Sequence, residues 1–204
     1  MSCCNASSGL SIEIGSTFKQ IYRWGGSPIV YKAISALVAN APLTFTVTGH
    51  GAPDGWPVAF TDVGGLDDLN ASCWPPAKSD FKFATAVDAN TIALNDIDGK
   101  RIGTYTSGGT MAYYSPIDLT SATVVFTLYT LDGSGNATQA LQVNAAVDNT
   151  AKTITLILSS TVTAALAVGG YTYTLVATQS GAVTVLDEGQ LTVVTPGTSN
   201  APSP

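Results

Sequence analysis

The chain has 204 residues, 45% of them hydrophobic and only 11% charged, with eight basic side chains, fourteen acidic ones and a formal net charge of −6. That length fits one large domain or two small ones, and the hydrophobic share allows a real core. The acidic balance argues against a phosphate-tracking surface, since the one close cationic pair, Lys100-Arg101, is flanked by Asp96 and Asp98.

No run of apolar residues approaches the ~20 needed to cross a bilayer. The opening "MSCCNASSGL" lacks the basic and apolar regions of a secretory leader. Cys3, Cys4 and Cys73 are odd in number and without ligand spacing, which predicts neither a disulfide framework nor a zinc site. The reading is synthesis in a reducing cytoplasm, with no cofactor, no nucleic acid and no membrane as partner.

In chain order, residues 1–9 are small and polar and read as an N-terminal arm. Almost every periodic stretch that follows alternates with period two. "TFKQIYRW" (17–24) sets Phe18, Tyr22 and Trp24 on one face and Lys19 and Arg23 on the other. "LTFTVTG" alternates Leu43, Phe45 and Val47 with threonines, "DFKFATAV" offers Phe81 and Phe83, and "TIAL" offers Ile92 and Leu94. Then come "TVVFTLYT" (Val124, Phe126, Leu128), "TITLIL" (Ile154, Leu156, Leu158), "YTYTLVAT" (Tyr171, Tyr173, Leu175) and "GQLTVV". Turn signals separate them, among them Asp54-Gly55, Asp98-Gly99 and Asp132-Gly133. Only "STVTAALAVGG" predicts a short helical turn. Residues 195–204 are a Pro/Ser tail that cannot build a core. The predicted fold class is all-β.

"GGSPIVYKA" and "YYSPIDLTSA" both carry Ser-Pro-Ile after a turn. The strands before Gly25 cannot stand alone, and those after Tyr114 fall short of a complete sandwich. A nested arrangement solves both problems. The expectation is that residues 10–32 and 113–194 form an outer sandwich and 33–112 a small β-domain inserted near its N-terminus, the alternative being two sequential domains with 10–32 packed loosely.

Within the inserted segment, "FTVTGHGAPDGWPVAF", "VGGLDDLNAS", "FKFATAVDANTIAL" and "DIDGKRIGTYTSGGT" occur in that order. Over roughly 34–110 this series resembles a small β-barrel-like module named after the first catalytic cysteine half-domain of ubiquitin-activating enzymes, which recurs in bacteriophage virion proteins. It departs from that pattern at "CWPPAKSD". The flanking "GSTFKQIYRW", "SPIDLTSATVVFTLYT", "GGYTYTLVAT" and "DEGQLTVV" resemble the immunoglobulin-like sandwich of phage baseplate and tail-attachment proteins. Together the resemblances imply an immunoglobulin-like β-sandwich carrying the module, in a structural protein of a tailed-phage virion, and no ubiquitin chemistry.

Candidate chemistry is sparse. His50, the sole histidine, has Asp54 nearby, but "GHG" and "PDG" are turn chemistry, and proximity in sequence defines no triad. Asp67-Asp68 and the pair Asp96 and Asp98 read as solvated turns: "NDIDG" supplies too few oxygen ligands for calcium. Trp56 and Trp74 lie beside prolines, in "GWPV" and "CWPP", and either contact a partner or a glycan or cap the small core. Tyr113 and Tyr114 sit beside the expected junction. Trp56, Trp74, Tyr113 and Tyr114 are therefore the candidate contact residues, with no catalytic, cofactor or metal residue assigned.

The expectation is a non-enzymatic particle component that meets copies of itself and other virion proteins at the tail, baseplate or neck, connecting or supporting fibres, assembled in the host cytoplasm. A head decoration protein and an adhesin for host surface glycans are the alternatives.

Overall fold

The computed structural model describes residues 9–197. The expected arm, apart from Gly9, the tail beyond Gly197, and the Cys3-Cys4 pair lie outside them. The strands in chain order are β1 (Leu10–Glu13), β2 (Phe18–Tyr22), β3 (Gly25–Ala33), β4 (Ala36–Val38), β5 (Leu43–Thr46), β6 (Trp56–Thr61) and β7 (Lys82–Asp88). Then follow β8 (Thr91–Leu94), β9 (Thr110–Pro116), β10 (Thr123–Leu131), β11 (Ala137–Asp148), β12 (Thr153–Leu158), β13 (Gly169–Gln179) and β14 (Ala182–Val194). The fold is all-β, with its strands in two seven-stranded sheets.

The strands divide between two compact units: Gly25–Ile117, and residues 9–24 with 118–197. The first holds the sheet β3-β9-β6-β7-β8-β5-β4 and the second β1-β14-β13-β10-β11-β12-β2. These boundaries correct those expected from the sequence. β3 pairs antiparallel with β9 from Gly25↔Pro116 to Ala33↔Thr110. Residues 25–32 and 113–116 therefore belong to the Gly25–Ile117 unit, not to the outer sandwich. The Ser-Pro-Ile repeats lie at one end of this shared ladder, where the register skips Ser27 and Pro28 while Ser115 and Pro116 pair with Gly26 and Gly25.

In the Gly25–Ile117 unit the inward face of each strand is apolar. Leu43, Phe45, Trp56, Val58, Phe60, Ile92, Leu94, Met111 and Tyr113 form one core with Val63, Leu66 and Leu69 from the loop after β6. Phe45 and Phe60 stack at 4.6 Å. The loop is locked by a close approach: Gly65 has φ +81°, and a Cβ there would collide with the Thr104 carbonyl oxygen.

In the other unit, Val124, Phe126 and Leu128 of β10, Ile154, Leu156 and Leu158 of β12, and Tyr171, Tyr173 and Leu175 of β13 are all buried, on the faces predicted by alternation. β11 pairs with β10 as far as Ala145 and with β12 only from Ala146, which curls the sheet over this core. The helical turn falls at Ser160–Ala164, with Ser159 as N-cap accepting from the Val162 N–H. Deep in this unit the Tyr173 hydroxyl donates to Asp187 at 3.0 Å, while the buried Tyr22 hydroxyl has no partner among the described residues.

Candidate functional site

Alternation on β6, β7 and β9 decides which aromatic side chains the Gly25–Ile117 unit presents. Trp56, Val58 and Phe60 point inward, so Pro57 and Ala59 point out. Cross-strand registers carry that outer face across the sheet. Tyr31 lies opposite Ala112, which lies opposite Ala59. Ile29 lies opposite Tyr114, and Pro57 opposite Phe83. This second face is thus a nearly uncharged row of Tyr31, Ala112, Tyr114, Ala59, Pro57 and Phe83, in which Ala59 and Ala112 are fully covered and Tyr31 and Phe83 are exposed, with Phe81 just before β7.

Two contacts build on this row. Trp74 sets its ring against Tyr31, with centroids 5.4 Å apart and planes tilted by 39°. Phe81 stacks on Tyr114 at 5.7 Å and 29°. Tyr31, Trp74 and Phe83 nevertheless remain 50%, 52% and 67% exposed. An open cleft of about 310 Å³ borders the face, lined by Phe81, Lys82, Phe83, Leu94, Asp96 and Ile97.

The loop that carries Trp74 is tied at both ends. Ala71 N–H donates to the Phe60 carbonyl at 2.7 Å, and the Asn70 amide exchanges hydrogen bonds with the Val63 backbone at 2.9 and 3.3 Å. Further along, the Asp80 carboxylate accepts from Ala77 N–H at 2.8 Å and from the backbone and hydroxyl of Ser72. Burial acts to raise the Asp80 carboxyl, but the hydrogen bonds from Ala77 and Ser72 outweigh it and hold it below its ordinary value. Cys73, beside Trp74, directs its thiol at the Pro75 carbonyl.

The other expected contact residues go elsewhere. Trp56 opens a strand rather than a loop. It is 1% exposed and its indole N–H donates to the Tyr114 carbonyl at 2.9 Å. Tyr113 is buried in the same core, and its hydroxyl donates to the His50 carbonyl. Trp56 thus takes the core reading rather than the contact one, and Tyr113, expected as a contact residue beside the junction, is buried with it, so neither offers a ring to a partner. Tyr114 is half-buried under Phe81, and Trp74 alone of the four is well exposed.

His50 is buried, and both ring nitrogens are engaged by backbone. Nδ1 accepts from Ala52 N–H at 3.1 Å, so Nε2 carries the proton and donates to the Asp88 carbonyl at 2.7 Å. Its imidazole pins the turn before β6 to the end of β7, as a structural histidine does. Asp67 and Asp68 are exposed in a 3₁₀ turn. Asp98 accepts from Lys100 N–H and pairs with Arg101 at 3.3 Å. Among the described residues no three His, Cys, Asp or Glu side chains gather as metal ligands, and no helix is long and apolar enough to cross a membrane.

Tyr31 and Phe83 were missed as surface residues. Tyr31 sat in a segment read as part of the outer sandwich, and period-two alternation marks two faces without naming the buried one. No family model matches this chain, and no curated protein matches it.

Proposed function

We propose that the chain is a non-enzymatic structural component of a tailed-phage particle, at the tail, baseplate or neck. It assembles by protein–protein contacts with copies of itself and other particle proteins, and connects or supports fibres. The particle setting comes from the sequence resemblance. The observation that carries the contact role is the exposed row of Tyr31, Trp74 and Phe83 on a pinned loop and a hydrogen-bonded sheet. Large aromatic side chains left half in water favour a partner that covers them, by roughly 1–2 kcal/mol for each, about half of what full burial from water contributes. A loop already fixed by Asp80 and Asn70 loses little further freedom when it docks.

The tilted Tyr31–Trp74 pair also favours a second reading, stacking on a host glycan, because both residues remain about half exposed. The two readings separate in one experiment. A chain with Tyr31→Ala and Trp74→Ala, checked for an unchanged circular dichroism spectrum, competes with the unmodified chain for incorporation into assembling particles. The assembly reading expects the variant to be excluded, by about tenfold or more. Equal incorporation would sink it. Loss of host-cell binding by the purified variant, with incorporation intact, would favour the glycan reading.

A further inference from the structure

We propose that residues 182–186 form a self-pairing edge through which two copies of this chain join their sheets. β14 pairs with β13 from Ala182 to Val193 with Leu186 skipped, but on its other side β1 covers only Leu191–Val194 among the described residues. Along the remaining edge, 182–189, no strand of the described residues lies beside the backbone donors and acceptors.

Natural edges are commonly blunted by lysine, proline or an inward charge. Here the sequence is "AVTVL", with no charge and no proline. Its side chains are also unusually exposed, Val183 by 69% and Val185 by 53%. Val185 lies opposite Val176, and Val176 opposite Val125, so an apolar row crosses three strands and ends at this open edge.

Self-complementarity names the occupant. A second copy related by a two-fold axis at Thr184 would pair antiparallel, with Val183 of each chain opposite Val185 of the other. Both valines would stay on the same face and extend the row across the junction. In this register the acidic Asp187 and Glu188 fall opposite Gly181 and Ser180 of the neighbour, so an acidic chain joins itself without like charges facing each other. The register skips Leu186 between Leu175↔Asp187 and Val176↔Val185, a bulge that ends the regularly paired stretch 182–185. A contact this short is weak alone and gains strength where many copies are held together.

This deepens the assembly reading, and rests on it only for the setting in which copies meet. The test is made on the full chain in solution. Amide NMR spectra and sedimentation are recorded over a concentration series for the unmodified chain, for Val183→Lys/Val185→Lys, and for Val168→Lys as a control at another exposed valine. The expectation is concentration-dependent shifts confined to 182–186 and their neighbours, with association weakened about tenfold or more by the double lysine variant and unaltered in the control. No shifts at 182–186, or shifts that persist in the double variant, would overturn the proposal. Either result leaves the location of the protein on particles to be decided separately.

Discussion

Replacing Trp56 by alanine removes the largest fully buried side chain of the chain and orphans the Tyr114 carbonyl that accepts its indole N–H. A core Trp→Ala change costs about 3–5 kcal/mol, cavity included. Trp74→Ala removes a half-exposed ring whose one aromatic neighbour is Tyr31, and the lost contact is worth about 0.5–1.5 kcal/mol. The same chemical change should therefore differ by roughly 2–4 kcal/mol between the two sites. Native-state hydrogen exchange of the Ala112 and Tyr113 amides in β9 reads this directly. Trp56→Ala should speed their exchange by roughly a hundred- to several-thousand-fold, and Trp74→Ala by about tenfold at most. Trp56→Phe provides a milder version that keeps a ring and loses the hydrogen bond, at a cost of about 1–3 kcal/mol. Equal costs at the two sites would refute the division into a core tryptophan and a surface one.

Three further outcomes are expected. The Asp80 carboxyl is held below its ordinary value in the folded loop, so its contribution is fully present above the unfolded value of about 3.9 and is lost as pH falls through the lower folded value; Trp74 fluorescence should change there, and Asp80→Asn should abolish that change. Gly65→Ala forces a side chain onto the Thr104 carbonyl at a positive φ and should cost at least about 2 kcal/mol in urea unfolding; a loss below about 0.5 kcal/mol would contradict the loop geometry. Tyr22→Phe removes a buried hydroxyl without a partner and should leave stability unchanged or raise it by up to about 1 kcal/mol, whereas a clear loss in the same assay would mean that the hydroxyl is bonded.

Much of the fold was legible because the signal was the strand period itself. On β10, β12 and β13 the residues chosen by alternation are the buried ones, since one face of each strand is mostly apolar while the other mixes threonine with Val125, Ile157 and Val176. β7 shows where that logic stops. Phe81 and Phe83 are its conspicuous apolar residues, yet Ala84 faces the core and Phe83 faces water. Hydrophobicity ranked the faces one way and packing against Trp56 the other. β11 escaped notice because residues 137–145 alternate among Ala, Thr, Gln and Leu with little contrast. The unit boundary falls further out at both ends than the sequence suggests, because the Ser-Pro-Ile repeats read as junctions whereas they sit at the end of the long-range ladder between β3 and β9. In the candidate site, Trp74 could be singled out by its setting in "CWPP". Its partnership with Tyr31, more than forty positions away, is a product of register and was invisible in the sequence.

The central claim is that this chain is built into a particle. Immunogold electron microscopy of purified particles, with antibody raised against the recombinant chain, tests it most directly. The account predicts label confined to the tail tip, baseplate or neck. Label spread over the head would move the protein to a decorating role, and particles that carry no label at any position would contradict the account.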